Sequence, residues 1–351
     1  MASDSKAKVI PLHGNSSRAA AQRRAGSRTQ ATRQHPSLLS EPDSRASADE
    51  IAAVVREIDQ HRRGAEAEQS GNELVQKVSA VADFLRHRLA GDYRVDEFGF
   101  DPHFNDAIVR PLLRFFFKSW FRVEVSGIEN LPDTGAGLVV ANHAGVLPFD
   151  GLMASVAVHD EHPAHRDLRL LAADMVFDLP VVSATARKAG HTMACTADAH
   201  RLLAAGELTA VFPEGYKGLG KRFKDRYKLQ RFGRGGFVAA ALRAKAPIIP
   251  CSIVGSEEIY PMLTDVRMLA RVFGLPYFPI TPLFPLAGPA GLVPLPSKWH
   301  IAFGEPIDTA HYDGADAEDP MVTFELTDQV RETIQQTLYQ LLAGRRNMFF
   351  G

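Results

Sequence analysis

From Val123 onward the chain alternates short apolar runs with segments of helical period, and this alternation restricts its possible folds more than any other feature. The strand-like runs are "RVEV" (122–125), "GLVVA" (137–141), "LRLLAA" (168–173), "LTAVF" (208–212), "PIIPCSIV" (247–254) and "HIAFG" (300–304). Helical spacing fits 149–159, 197–205, 234–245, 262–273 and 321–343. Strands that alternate with helices predict an α/β layer fold, with a mostly parallel central sheet flanked by helices. A chain of 351 residues that is 45% hydrophobic has ample material for such a core. No internal repeat is visible.

Upstream the texture differs. Residues 1–45 have no apolar period and are expected to be a disordered basic tail. Lys6, Lys8, Arg18, Arg23, Arg24, Arg28 and Arg33 face one acid, Asp4, over its first forty residues. Residues 46–122 predict amphipathic N-terminal helices. The first opens on a capping box, Ser47 to Glu50, and stops at Gly64. The second carries Leu74, Val75, Val78, Val81, Phe84, Leu85 and Leu89 at helical spacing. A third begins with Asp101 as N-cap and Pro102 at the first position, with a kink expected at Pro111. It mixes Phe115, Phe116, Phe117, Trp120 and Phe121 with Arg110, Arg114, Lys118 and Arg122. Rings beside cations suit a membrane interface, and an ordinary helix packed on the next domain fits equally well. The remaining 123–351 form the α/β domain with its C-terminal helix.

The opening "MASDSKAKVIPLHGN" lacks an apolar signal core, and no run reaches the ~20 apolar residues of a spanning helix. Residues 272–297 carry no charge, but prolines at 276, 279, 282, 285, 289, 294 and 296 exclude a regular helix. Two readings stay open for this loop: packed on the protein, or dipped into a membrane surface. The two cysteines, Cys195 and Cys251, have no CxxC spacing. That argues against a disulfide framework or a zinc site and fits a reducing, cytoplasmic compartment. A net charge of -1 gives no sign of a nucleic-acid partner.

In α/β sheets ligands sit beyond the carboxyl ends of the strands. "GLVVA" ends directly on Asn142-His143, and "PFDG" places Asp150 in the first turn of the next helix. A carboxylate there is favoured by the helix dipole alone, so a His143–Asp150 dyad and a structural pair are both consistent with the spacing. "LTAVFPEGYKGLGKRF" puts Phe212, Pro213, Glu214 and Gly215 at another strand end, followed by Lys217, Lys221, Arg222 and Lys224. An acid followed by a Gly-rich basic loop suits a polar or phosphorylated headgroup. Gly215 to Lys221 imitates a P-loop, but Arg222 stands where Ser or Thr would hold magnesium, which excludes that reading.

Together these stretches resemble the glycerolipid (lysophospholipid) acyltransferases. The first family motif corresponds to Asn142, His143 and Asp150, and the third to Phe212–Gly215 with Lys217. The fourth corresponds to "APIIPCSIVG" with Pro250, and order and spacing match from about Val123 to Ile307. Two features depart from the pattern. Six residues, "AGVLPF", separate His143 from Asp150, more than is usual, and they resemble a branch with diacylglycerol acyltransferase-like and phytyl-ester-forming proteins. The family's middle motif offers an arginine to the acceptor phosphate, whereas "GHTMACTADAHRLL" has none before Arg201.

The resemblance implies transfer of a fatty acyl group from an acyl thioester, acyl-CoA or acyl carrier protein, to a lipid hydroxyl. His143 would be the general base and Asp150 its orienting carboxylate. Backbone N–H groups near Gly145 or the next helix N-terminus would hold the oxyanion. Phe212, Pro213, Glu214, Gly215 and Lys217 would bind the acceptor. No metal and no cofactor beyond the donor is implied, and peripheral membrane attachment is expected. A lysophospholipid or lysophosphatidate acceptor is favoured by the four cations within eight residues. Diacylglycerol or another neutral lipid alcohol is the alternative. An inactive lipid-binding protein is the alternative of another class. A serine hydrolase is disfavoured, since no G-x-S-x-G is present.

Overall fold

Every residue of the strands Gly137–Ala141 and Ile248–Val254 is buried. Strands covered on both faces are mostly apolar, so these two, Ser252 apart, stand out in the sequence as solid blocks. The computed structural model describes Arg86, residues 94–233 and residues 235–351, all within the compact unit Gln69–Gly351. The expected tail 1–45 and the first two expected helices lie outside the described residues, apart from Arg86.

The strands are β1 (Glu124–Ser126), β2 (Gly137–Ala141), β3 (Leu168–Ala172), β4 (Thr192–Met193), β5 (Leu208–Val211), β6 (Ile248–Val254), β7 (Thr264–Asp265), β8 (Pro279–Ile280) and β9 (His300–Phe303). Seven of them make one sheet in the order β1-β9-β6-β2-β5-β3-β4, and β7 pairs only with β8. From β6 to β4 all neighbours are parallel. β9 runs antiparallel to β6 and β1 parallel to β9, so the expected mostly parallel sheet has one reversed edge.

The helices are α1 (102–120), α2 (Phe149–Glu161), α3 (Asp174–Asp178), α4 (Pro180–Lys188), α5 (Thr196–Ala204), α6 (Tyr216–Leu219), α7 (Gly236–Ala244), α8 (Arg267–Phe273) and α9 (Pro320–Gly344). Strand side chains alternate between two cores. Val139, Ala141, Ile249 and Cys251 meet Met153 and Val156 of α2 and Phe117 of α1. Leu138, Val140, Ile248 and Val254 meet Leu202 of α5, Leu242 of α7 and Val330 of α9. Each large aliphatic side chain removed from water in this way stabilises the fold by about 1.5–3 kcal/mol.

The aromatic helix α1 belongs to this packing. Phe117 and Phe121 are buried, with Phe116 and Trp120 partly so, and Arg110 is enclosed with Asp106 and Asp167. Ile108, Leu112 and Phe115 remain exposed. At Pro111 the backbone widens: Asn105–Val109 forms a π turn, in which Arg110 N–H reaches Asn105 C=O. Proline lacks the donor and crowds the carbonyl four residues back, here Ala107, and the wider turn accommodates both.

Several expectations need correction. The helix expected over 262–273 starts at Arg267, because β7 takes residues 264–265 into pairing with β8. The proline-rich 272–297 holds no long helix, but β8 and the 3₁₀ turn Gly288–Leu292 give it structure. β4, α3, α4 and α6 had no counterpart among the expected elements. Among the described residues no helix is long and apolar enough to cross a membrane.

Candidate active site

β2 ends at Ala141, and Asn142 continues its ladder with a side chain instead of the backbone. Its Oδ1 accepts from Ile253 N–H at 2.7 Å and its Nδ2 donates to Ile253 C=O at 3.0 Å. The main chain is therefore released from the sheet at His143. That residue donates its backbone N–H to Glu214 Oε1 at 2.9 Å, and its ring Nδ1 lies 2.7 Å from Asp150 Oδ2. The imidazole packs against Phe212, with ring centroids 4.7 Å apart, and His143 is 9% exposed.

Asp150 is fully buried as the second residue of α2. Its Oδ2 also accepts Ala144 N–H at 2.8 Å, and Oδ1 accepts Gly151 N–H at 2.8 Å. A carboxylate so placed accepts from Nδ1–H, and the lone pair is then on Nε2. The dyad and the helix-dipole reading are thus both realised by one carboxylate.

The loop between these residues turns sharply, with φ of 97° at Gly145 and 61° at Val146. A Cβ on Gly145 would sit 2.5 Å from Ser256 C=O, so only glycine fits there. Val146 is β-branched and strained at that φ, and its backbone is pinned at both ends. Its N–H donates to Leu219 C=O at 3.3 Å and its C=O accepts from the Tyr277 hydroxyl. Burial, then the nearby Asp150 charge, pushes the Tyr277 phenol up. Ala144, Val146, Leu147 and Phe149 all have acceptors for their N–H groups, and the buried Gly145 N–H has none among the described residues.

The second motif is tied to the first from below. Glu214 is 3% exposed, and its Oε2 accepts Gln230 N–H at 2.6 Å and lies 3.3 Å from Lys221 Nζ. Lys221, itself buried, also reaches Glu257 Oε1 at 3.0 Å, which accepts Tyr227 N–H at 2.8 Å. Burial pushes the Glu257 carboxyl up to about 7, against the opposing pull of Lys221 and the Tyr227 N–H. Gly218 lets α6 press close, since a Cβ there would lie 2.5 Å from His143 C=O.

Of the expected site residues, His143, Asp150, Phe212 and Glu214 are brought together, and Pro213 is half-buried beside them. Gly215 and Lys217 are exposed at the start of α6, and Lys217 has no side-chain partner among the described residues. Glu214 was expected to position the acceptor; in the structure both its oxygens take protein donors and clamp the turn at His143. Lys221, expected as a loop cation, lies inside the same clamp. Arg201 pairs with Glu97 and Asp198 and lies over the Phe98 ring. Sequence reasoning missed Gln230, Glu257 and Tyr277. Of these only Glu257 left a trace, in the paired acids of "GSEE" directly after an apolar strand.

The Acyltransferase family model matches residues 122–254, a span that holds both strand-end motifs. The chain is 80% identical to an uncharacterized protein of Mycobacterium tuberculosis, over 100% of this chain and 99% of that one. It is 77% identical to one of Mycobacterium leprae, over 99% and 97%. It is 26% identical to the "DGAT1/2-independent enzyme synthesizing storage lipids" of Homo sapiens, covering 62% of this chain and 60% of the other. Among solved structures, a 1-acyl-sn-glycerophosphate acyltransferase of Thermotoga maritima aligns at a TM-score of 0.44 and 20% identity, over 69% of this chain and 82% of that one. The histidine–carboxylate pair and the Phe-Pro-Glu-Gly turn both lie inside the span, residues 122–254, that is similar to the acyltransferase family.

Proposed function

We propose that the protein transfers a fatty acyl group from an acyl thioester, acyl-CoA or acyl carrier protein, to a hydroxyl of a glycerolipid, with a lysophospholipid or lysophosphatidate as acceptor. The observation that carries this reading is the pairing of His143 Nδ1 with the buried Asp150, which leaves the ring's lone pair on Nε2. Nε2 takes the proton of the acceptor hydroxyl as its oxygen attacks the thioester carbonyl. Asp150 stabilises the imidazolium that results. The Gly145 N–H supplies one donor for the developing oxyanion. As the C–O bond is completed the C–S bond breaks, and the imidazolium returns its proton to the departing thiolate. No further cofactor enters this sequence.

The choice of acceptor rests on Lys217, an exposed cation close to Gly215 with no partner among the described residues to compete with a phosphate. One observation favours a second reading, acylation of diacylglycerol or another neutral lipid alcohol. Arg201 and Lys221, two of the cations that the motifs place near an acceptor, are both engaged by protein carboxylates. The test is release of free thiol from an acyl thioester with a panel of acceptors. Release that requires lysophosphatidate supports the first reading, and release that requires diacylglycerol supports the second. Lipid binding without thiol release would leave only the inactive binding protein.

A further inference from the structure

The segment between β6 and β9 exposes more large apolar surface than its packing requires. Met268 and Val272, one turn apart on α8, are each 73% exposed, Phe273 is 62% exposed, and Leu286 reaches 91%. Leu283 and Leu292 extend the same lobe. Between Thr281 and Ser297 there is no polar side chain at all, and no acid occurs from 266 to 304. The cations Arg267 and Arg271 lie on α8 among these apolar residues, one turn apart, and both are exposed. The neighbouring loop adds exposed Arg222, Lys224 and Arg226, and Phe223 N–H joins it to the lobe at Met262 C=O, 2.8 Å away.

We infer that residues 263–293 are a docking lobe for an anionic lipid surface, in which the apolar tip enters the headgroup–acyl boundary and the arginines meet the headgroups. This deepens, and rests on, the reading that the acceptor is a lipid. The backbone supplies the main argument. Hydrocarbon offers no partners to exposed N–H groups, so a loop that enters it must bring few unpaired ones. Here Pro282, Pro285 and Pro289 have none to pair. Thr281 and Phe284 exchange bonds at 2.9 Å, Ala287 donates to Leu283 C=O at 2.7 Å, and Gly288 donates to Pro285 C=O at 2.9 Å. A protein partner would instead be read by directional polar contacts, which this tip does not offer. The lobe is also joined to the chemistry, because Tyr277 donates its hydroxyl to Val146 C=O in the catalytic turn. Docking through it would hold that turn at the membrane surface.

The experiment uses the full chain and co-sedimentation with phosphatidylcholine vesicles, with and without phosphatidylglycerol. Wild type should bind the phosphatidylglycerol vesicles. The double variant Val272→Glu/Leu286→Glu should bind them at least about tenfold more weakly with an unchanged melting temperature, because apolar burial and anionic attraction both fall. A Leu286→Trp variant should fluoresce less in vesicles with brominated acyl chains, which needs no destabilising substitution. Equal binding of wild type and the double variant, with no quenching at Trp, overturns the inference and places attachment elsewhere. No binding by wild type, with an oligomeric state that the double variant alters, overturns it in favour of a second copy. The assay needs neither donor nor turnover. A wild type that docks but never releases thiol would therefore sink the acyl-transfer reading alone.

Discussion

Glu214 Oε1 accepts the backbone N–H of His143 at 2.9 Å, so the glutamate of one strand end holds the main chain of the other. The grip is on the peptide and not on the ring. The imidazole is aimed separately, by Asp150 at 2.7 Å and by the Phe212 ring. Placement and orientation of the His143 ring therefore have different owners, and variants can separate them.

His143→Ala should lower the acyl-transfer rate about 10²- to 10⁴-fold, the usual worth of a general base, while leaving the melting temperature close to wild type. Asp150→Asn should also lose rate, since an amide cannot stabilise the imidazolium. It should lose stability as well, because the buried Oδ atoms serve two backbone donors. Steady-state thiol release and thermal unfolding measure the two effects, and an alanine variant with full activity would sink the base assignment.

Glu214→Ala should destabilise the fold by about 3–5 kcal/mol, the scale for removing one partner of a buried charge pair. It leaves Gln230 and His143 N–H without acceptors and Lys221 with Glu257 alone. Denaturant unfolding reads this directly. A loss below about 1 kcal/mol, typical of an exposed ion pair, would contradict the clamp.

For Lys217→Ala the expected loss in kcat/KM on lysophosphatidate is about 1.5–3 kcal/mol, carried by KM. On diacylglycerol the change should be small. Equal kinetics of variant and wild type on lysophosphatidate, with better turnover of diacylglycerol, would shift the acceptor to the neutral class.

Glu257 gives the pH dependence its sign. Its folded pKa of about 7 lies above the ordinary carboxylate value of 4.5, so the folded state holds a proton that the unfolded state has released. The stability it contributes is complete below pH 4.5 and is lost as pH rises through 7. His191, which burial and Arg169 push down to about 4, slopes the other way in an overlapping window. The comparison is therefore between wild type and Glu257→Gln, and wild type should lose ground to the variant between pH 5 and pH 8. A stability difference that stays flat across that range would refute the shift.

The legible parts of the fold were those with strong local signals. β2 and, Ser252 apart, β6 are apolar blocks, α9 is long and periodic, and Asn142-His143 breaks off at a strand end. β4 has two residues, too few for any period, and Pro180, which looks like an interruption, is the first residue of α4. The dyad was legible because its members lie seven residues apart, at a strand end and in the first turn of the next helix. Gln230, Glu257 and Tyr277 were not, because each reaches the site from a separate segment and its role depends on packing no local pattern encodes. The inward turn of Glu214 was hidden for the same reason, since nothing near it in sequence signals Lys221 as a buried partner.

The sheet closes at its two borders with very little strand: three residues in β1 and two in β4. A border strand normally presents a row of unused donors and acceptors on which another chain can build. Here that row is only a few peptides long at each end. Many copies crowded together would find little template for sheet-to-sheet growth at these two borders.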